Sequence, residues 1–319
     1  MPSKGAALPV PPKIVVIGSL NVDMVASVRR LPLPGETIAA SQLSISRGGK
    51  GGNQLLAAMR QGAQGSMIAC IGPDSHGTEY RRFLLEQGID IQGIATVQKE
   101  NTGTALIAVD ADGENQIIYS PGANARLSAS RVRIQGSLIR AASILLVQME
   151  TPIAALAEGI RIANRAGIPV ILNLSPFRDD FPWNTSAIDT LVLNETEAAD
   201  LFQTAVKSLP RQLSIVRGKL DSLNVRRAVI TRGANSTLCL EAERSFTVPA
   251  LPVKKVVDTV GAGDTFTGVL AVRLAEGMPL DKAVRFANCA GALATKKAGA
   301  QASIPTRLQT ERAAQELPV

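Results

Sequence analysis

Ile14-Val-Val-Ile-Gly-Ser19 is a short β-branched run, apolar at every position up to its glycine. Side chains on a strand alternate between two faces, so a strand that is apolar throughout is buried on both faces. This is the situation of a strand inside a parallel sheet covered by helices. Leu20-Asn-Val-Asp23 follows, and sets Asn21 and Asp23 just past the strand's carboxyl end, where open α/β sheets meet their ligands. The turn is not G-x-G-x-x-G, which disfavours a dinucleotide-binding fold.

Downstream, strand and helix alternate. Strands are expected over 66–71, 143–148, 169–174, 190–193 and 228–231, and helices over 76–87, 129–141, 152–166, 195–202 and 210–223. The expected fold class is therefore α/β, a three-layer, mostly parallel sheet with helices on both faces. Polar residues again follow the strands: Glu150, Asn173, Asn194-Glu-Thr-Glu197 and Thr231-Arg-Gly-Ala-Asn235. Singly, each is well explained as a helix cap, and Asn194 with Glu197 fits a capping box. Taken together they are harder to explain by capping, because strand ends share one edge of the sheet.

Two segments break this rhythm. Residues 24–28 and 37–46 alternate in polarity around the turn Pro32-Leu-Pro-Gly-Glu36, and 102–109 and 115–120 do so around Asp110-Ala-Asp-Gly-Glu114. They read as half-exposed antiparallel strands of a small separate sheet, a lid spanning about 24–47 and 102–120.

Two glycine-rich stretches carry the chemistry. Gly48-Gly-Lys-Gly-Gly-Asn-Gln54 has four glycines in five positions and precedes a helix expected from 55 to 61. No Ser or Thr follows Lys50, so it is not a Walker loop. Lys50, Asn53 and the glycine amides suit a ligand rich in hydroxyls; a flexible turn is the competing reading. Asp258-Thr-Val-Gly-Ala-Gly-Asp-Thr-Phe266 follows strand-like runs at 245–248 and 253–257 and precedes an amphipathic segment at 265–276. Gly261, Ala262 and Gly263 thus stand at a helix start, where free N–H groups and the macrodipole favour an anion such as phosphate. Asp264 would repel that anion unless it takes a proton from a nucleophile attacking it. The competing reading is an ordinary acidic residue in a first helical turn.

Composition bounds the rest. The chain has 319 residues, 45% hydrophobic, 19% charged and 3% aromatic, so an aliphatic core is expected. The net charge of +7 is scattered, without basic runs or aromatic stacking surfaces, which argues against nucleic acid and fits an anionic small substrate. Cys70, Cys239 and Cys289 lie far apart in apolar surroundings and read as buried free thiols of a reducing, cytoplasmic compartment. His76 is the only histidine and reads as a surface residue, so a His-rich metal site is excluded. Nothing is apolar for long enough to span a membrane. Residues 1–13, with four prolines, are expected to be a disordered tail rather than a signal peptide. The domain is expected over 14–308, followed by a C-terminal tail at 309–319.

Seven motifs together resemble the PfkB-type sugar kinase family, in its ribokinase branch, from residue 14 to about 305. They are Gly18-Ser-Leu-Asn-Val-Asp23, Pro34-Gly-Glu-Thr37, Gly48-Gly-Lys-Gly-Gly-Asn-Gln54, Gly113-Glu-Asn115, Asn194-Glu-Thr-Glu197, Asp258-Thr-Val-Gly-Ala-Gly-Asp264 and Lys297-Ala-Gly-Ala-Gln301. The resemblance implies an ATP:sugar phosphotransferase acting on the primary 5-hydroxyl of D-ribose. A deoxyribose, fructose or nucleoside kinase, or a silent sugar-binding protein, are the alternatives. It implies sugar contacts from Asn21, Asp23, Gly49, Lys50, Gly51, Gly52, Asn53 and Glu150. Asp264 is the implied general base, with an anion hole from the amides of Gly261, Ala262 and Gly263. Nucleotide contacts are implied for Asn194, Thr231, Arg232, Gly233, Ala234, Asn235, Ser236, Gly263 and Asn288. Mg²⁺ is implied beside Glu197 through water. A monovalent cation, K⁺, is implied at Asp258, Val260, Ala294, Lys297, Gly299 and Ser303, and a homodimer through the lid. Ser236, Arg232, Asn288 and Gly52 depart from the residues most frequent in the family; none removes a catalytic group.

Overall fold

The computed structural model describes residues 10–241 and 243–317. In chain order the elements are β1 (Lys13–Ile17), β2 (Asn21–Ser27), β3 (Gln42–Gly48), α1 (Lys50–Arg60), β4 (Gln64–Ile71), α2 (Ser75–Glu86), β5 (Ile94–Thr96), β6 (Gly103–Val109) and β7 (Asn115–Ser120). There follow α3 (Ala129–Ile134), α4 (Gly136–Arg140), β8 (Ile144–Gln148), α5 (Ile153–Arg165), β9 (Val170–Asn173), β10 (Thr190–Asn194) and α6 (Glu195–Phe202). The remainder comprises α7 (Leu213–Ser222), β11 (Arg227–Thr231), β12 (Thr237–Glu241), β13 (Ser245–Val248), α8 (Ala262–Ala275), α9 (Leu280–Ala294) and α10 (Arg307–Glu316).

Nine strands form the main sheet in the order β13-β12-β11-β10-β9-β8-β1-β4-β5. Pairings are parallel from β5 to β11, and the edge strands β12 and β13 are antiparallel. β1 lies near the middle, and its side chains separate as its composition requires. Val15 and Ile17 join the core that takes in α3 to α7, whereas Ile14 and Val16 join the core under α1, α2, α8 and α9. All four are at most 2% exposed, each worth roughly 1.5–3 kcal/mol of apolar burial. The three-layer α/β arrangement is thus the one the sequence implies. The second sheet, β3-β2-β6-β7, is built from both expected hairpins, joined through a parallel β2–β6 pairing.

Several local expectations are corrected. The run 253–257 is not a strand; it follows Pro252, which has no N–H to donate, and leaves Val256 and Val257 exposed at 55% each. The helix expected from 55 starts five residues earlier, at Lys50, so much of the glycine-rich stretch is helical. The helix expected at 129–141 is broken at Gln135 into α3 and α4. The one expected at 210–223 starts at Leu213, after a 3-10 turn that contains Pro210. The segment 265–276 is not amphipathic: α8 is buried along Asp264 to Arg273, because it is sandwiched between α1 and α9.

The expected C-terminal tail is largely α10, opened by a Thr306–Gln309 capping box and packed on Cys289 through Ala313, Ala314 and Leu317. Of the expected N-terminal tail, residues 1–9 lie outside the described residues, and Lys13 already begins β1. His76 is half-buried in the first turn of α2, and the three cysteines are free and buried. Among the described residues no helix is long and apolar enough to cross a membrane.

Candidate active site

The parallel register brings the polar strand ends to one edge. Gln148 of β8 stands beside Asn173 of β9, and Asn194 of β10 beside Thr231 of β11. Above this edge the start of α8 meets the start of α1. Asp264 is 8% exposed there, and each of its carboxylate oxygens accepts one amide hydrogen bond. Asn53 Nδ2 donates to one and Gln54 Nε2 to the other, both at 2.9 Å.

The two amides are themselves held. Gln54 Nε2 also donates to Asn173 Oδ1 at 2.9 Å, and Gln54 Oε1 accepts from Gln148 Nε2 at 2.7 Å. Asn53 Oδ1 accepts from Gln301 Nε2 at 3.1 Å, which also contacts the Tyr80 hydroxyl at 2.6 Å; Tyr80 donates to the Gly48 carbonyl at 2.7 Å. A carboxylate held on both oxygens by buried, braced amides keeps one orientation.

A cavity of about 220 Å³ opens beside Asp264, lined among others by Lys50, Asn173, Asn194, Glu197, Thr231 and Gly263. Burial alone would push the Lys50 ammonium down, but the carboxylates of Asp264, Glu150 and Glu197 outweigh it and hold the group above its ordinary value. Burial also raises Glu197. Asn194 and Glu197 form the expected capping box at the start of α6, with both reciprocal bonds at 2.8 Å.

On the lid side, Asn124 fastens the loop after β1. It accepts from Leu20 N at 3.0 Å and donates to Leu20 O at 3.2 Å and Asn21 Oδ1 at 2.7 Å. Glu150 accepts from Lys50 N at 3.2 Å and from the Ser19 hydroxyl. Asp23 faces this group across Gly48, whose missing Cβ leaves room for it: a methyl there would lie 2.1 Å from Asp23 Oδ2. Burial first, then Glu150 and Asp264, raise the Asp23 carboxyl to about 6.

At the α8 start, Asp258 bridges two segments, accepting from Val260 N at 2.9 Å and Gly299 N at 2.8 Å. Ser303 N donates to Gly299 O at 3.2 Å, and Lys297 N donates to the carbonyl of Ala294, the last residue of α9, at 3.3 Å.

Other expected residues are placed differently. Gly51 and Gly52 lie buried in α1, where a Cβ would meet Gly18 Cα at 2.8 Å and the Tyr80 hydroxyl at 2.2 Å; they permit close packing rather than presenting backbone to a ligand. Ala262 N donates to Thr259 O at 3.2 Å, which leaves Gly261 and Gly263 as the amides of the expected hole. Asn288 is fully engaged, accepting from Thr237 Oγ1 at 2.6 Å and donating to Val248 O at 3.1 Å and Pro249 O at 2.9 Å; it braces β12 and β13 against α9. Arg232 donates to Ser236 O at 2.6 Å and so closes its own loop, leaving Gly233, Ala234 and Asn235 exposed beside half-buried Thr231.

The supporting residues Gln54, Gln148, Gln301, Tyr80, Ser19 and Asn124 were not anticipated as part of the site. Gln148 carried a signal, since a glutamine ending an otherwise apolar strand needs a partner.

Comparison with known proteins gives the family. Residues 11–307 match the model of the pfkB family carbohydrate kinases. The chain is 37% identical over 298 residues to a ribokinase of Haemophilus influenzae, covering 93% of this chain and 96% of that protein. It is 34% identical over 301 residues to the Bacillus subtilis ribokinase, at 93% and 98% coverage. The structure of Arabidopsis thaliana ribokinase complexed with ribose and ATP superimposes with a TM-score of 0.88 at 31% identity, covering 96% of this chain and 99% of that one. The family model matches nearly the whole length, and the ribokinases are more than 30% identical over more than nine-tenths of it: the chain belongs to the pfkB family of carbohydrate kinases.

Proposed function

We propose that this protein is an ATP-dependent ribokinase, transferring the γ-phosphoryl group of ATP to the primary 5-hydroxyl of D-ribose to give D-ribose 5-phosphate. The observation that carries the proposal is Asp264, held by Asn53 and Gln54 at the mouth of the cavity that Lys50, Asn194, Glu197 and Thr231 line. Asp264 takes the proton of the attacking hydroxyl. Asn21, Asp23, Gly49, Lys50 and Glu150 hold the sugar, and the Gly261 and Gly263 amides face the phosphoryl group. Asn53, engaged with Asp264 and Gln301, acts mainly by positioning the base.

ATP supplies the phosphoryl group and Mg²⁺ offsets its charge. Among the described residues no group of three or more His, Cys, Asp or Glu side chains stands together as a metal site. That fits an Mg²⁺ that arrives with the nucleotide and meets Glu197 through water. Asp258, Val260, Ala294, Lys297, Gly299 and Ser303 would give K⁺ carbonyl and carboxylate oxygens, the kind of donor that replaces its hydration shell. Leu43, Ile45, Leu106, Ile117 and Ile118 of the lid are 48–69% exposed, which supports a homodimer through this sheet. A mass of one chain in solution scattering overturns the dimer. The buried free thiols suit a cytoplasmic protein.

The test is an ADP-release assay with D-ribose, 2-deoxy-D-ribose, D-fructose and adenosine, with Mg²⁺ and K⁺ each omitted in turn. D-ribose is expected to give the highest kcat/KM, and omission of either cation to lower it. Ribose-independent ADP release, or preference for another acceptor, sinks the assignment.

Asp23 gives a pH dependence. Its raised pKa means the free protein keeps the proton below about 6, and a carboxylate is the better acceptor for sugar hydroxyls. kcat/KM for ribose, which reports the free enzyme, is expected to rise about tenfold from pH 5 to 7. In Asp23→Asn this rise disappears at a lower plateau; a variant that keeps the same inflection shows that another group is responsible.

A further inference from the structure

Three side-chain amides stand behind Asp264: Gln54 on α1, Gln148 at the end of β8 and Asn173 at the end of β9. Gln54 and Gln148 are 0% exposed and Asn173 is 7% exposed. Their hydrogen bonds form one chain with a direction. Asn173 Nδ2 donates to the carbonyl of Val192 on β10 at 3.2 Å, which turns its Oδ1 toward Gln54. Gln54 Nε2 donates to that oxygen and to Asp264 Oδ1, at 2.9 Å each, so Gln54 Oε1 is turned away from the carboxylate. Gln148 Nε2 donates to Gln54 Oε1 at 2.7 Å and ends the chain.

The direction is set twice over. A backbone carbonyl can only accept a hydrogen bond, and so can an ionised carboxylate. Val192 O, acting through Asn173, and Asp264 therefore both require the NH₂ end of Gln54. Turned over, Gln54 would set its oxygen against the Asp264 carboxylate and against Asn173 Oδ1. Gln148 serves this direction at its own expense. Its Oε1 is buried with no hydrogen-bond partner among the described residues, at a spot so tight that a Cβ on Gly18 would lie 2.1 Å from it. A buried acceptor left unpaired is unfavourable. Turning the Gln148 amide would only bring its oxygen against Gln54 Oε1. The four residues before it in β8, Ile144 to Val147, are apolar and buried, and an apolar residue at 148 would carry no such penalty. A local rule broken in this way marks a residue kept for the site.

We propose that Gln148 is a positioning residue for phosphoryl transfer, fixing which end of the Gln54 amide faces Asp264, although it does not line the cavity beside the base. The proposal rests on the reading of Asp264 as the base. Without the Gln148 donor, Gln54 Oε1 is stranded in the core and the amide shifts, releasing one of the two oxygens that hold the carboxylate in place. A loosened base slows the reaction and leaves the sugar's own contacts intact.

The test is a double-mutant cycle in the full chain. Gln148→Met keeps the length of the side chain and removes both polar atoms. It is expected to lower kcat about tenfold, the scale of one hydrogen bond, with the calorimetric Kd for D-ribose within about twofold of the wild type. Gln54→Met is expected to lower kcat by about 10², and the double variant to match Gln54→Met, because Gln148 acts only through Gln54. Unchanged kcat in Gln148→Met, a loss of ribose binding as large as the loss of turnover, or losses that multiply in the double variant each overturn the proposal. A measurement on the wild type covers a variant that does not fold. With ¹⁵N-labelled glutamine, one NH₂ pair is expected to be protected from exchange and to shift in Asp264→Asn; if no pair does both, the direction of the chain is wrong. If Asp264→Asn keeps its turnover, the base assignment fails and this proposal with it. If Asp264→Asn loses turnover and Gln148→Met does not, this proposal alone fails.

Discussion

Replacing Asp264 with asparagine is expected to lower kcat by about 10²–10⁴, roughly 3–5 kcal/mol of transition-state stabilisation, with sugar and nucleotide affinities changed by no more than about threefold. The geometry sets this partition. The carboxylate contacts the chain through Asn53 and Gln54, and both donors can remain near an asparagine, one of them facing its oxygen and the other its NH₂. The second contact is lost, which accounts for a small change in binding. Basicity is lost entirely, and a proton acceptor matters only as the hydroxyl attacks. kcat and kcat/KM should therefore fall together, the pattern of an interaction made in the transition state alone. Single-turnover measurement with calorimetric binding of D-ribose separates the two effects. Near wild-type turnover removes Asp264 from the role of base, and a collapse of binding with turnover makes it a structural residue.

The order of elements was legible because burial is written into local sequence. β1 had to be a central strand, since its residues Ile14 to Ile17 are apolar on both faces, and they do divide between two cores. The lid hairpins announced themselves by alternation and by Asp-Gly in the turn. The capping box of Asn194 and Glu197 was readable from spacing alone.

What was hidden depends on contacts between distant segments. α1 begins among glycines that carry poor helix propensity. It forms because Gly51 lets the helix approach Gly18 and Gly52 makes room for Tyr80, and neither partner is visible locally. The bracing role of Asn288 was not visible locally, because its partners Thr237 and Val248 come from β12 and β13, 51 and 40 positions away. The bracing of Asp264 is likewise long-range: Gln54 and Asn53 are 210 and 211 positions distant. A motif shows which residues gather at the site, but only the fold shows which of them hold one another.

Gly261→Ala is expected to lower both stability and turnover. Gly261 stands at φ 76°, in the left-handed region, where a residue with a Cβ costs about 1–2 kcal/mol. The new methyl would also lie 2.8 Å from Ala300 Cα and 3.1 Å from its carbonyl oxygen, atoms of a backbone tied through Gly299 to Asp258. One of the two loops has to move. The Gly261 and Gly263 amides and Asp264 move with the first, and Gln301 with the second. A misplacement of about 1 Å at reacting groups costs on the order of 10² in rate, so kcat/KM should fall by about that factor. Together with the steric contact the strain should also lower Tm by a few degrees, at roughly 1.5 °C per kcal/mol for a chain of this size, from an unfolding entropy of about 2.1 cal/mol/K per residue. Gly263→Ala supplies the contrast. No atom lies within 4 Å of the Cβ it would create, so its Tm should stay near that of the wild type. The methyl would instead stand on the side from which the phosphoryl group approaches, raising the KM for ATP. Differential scanning calorimetry and steady-state kinetics on the pair distinguish loop shape from ligand access. Equal Tm losses in the two variants, or full activity in Gly261→Ala, rule out a requirement for the left-handed turn at the start of α8.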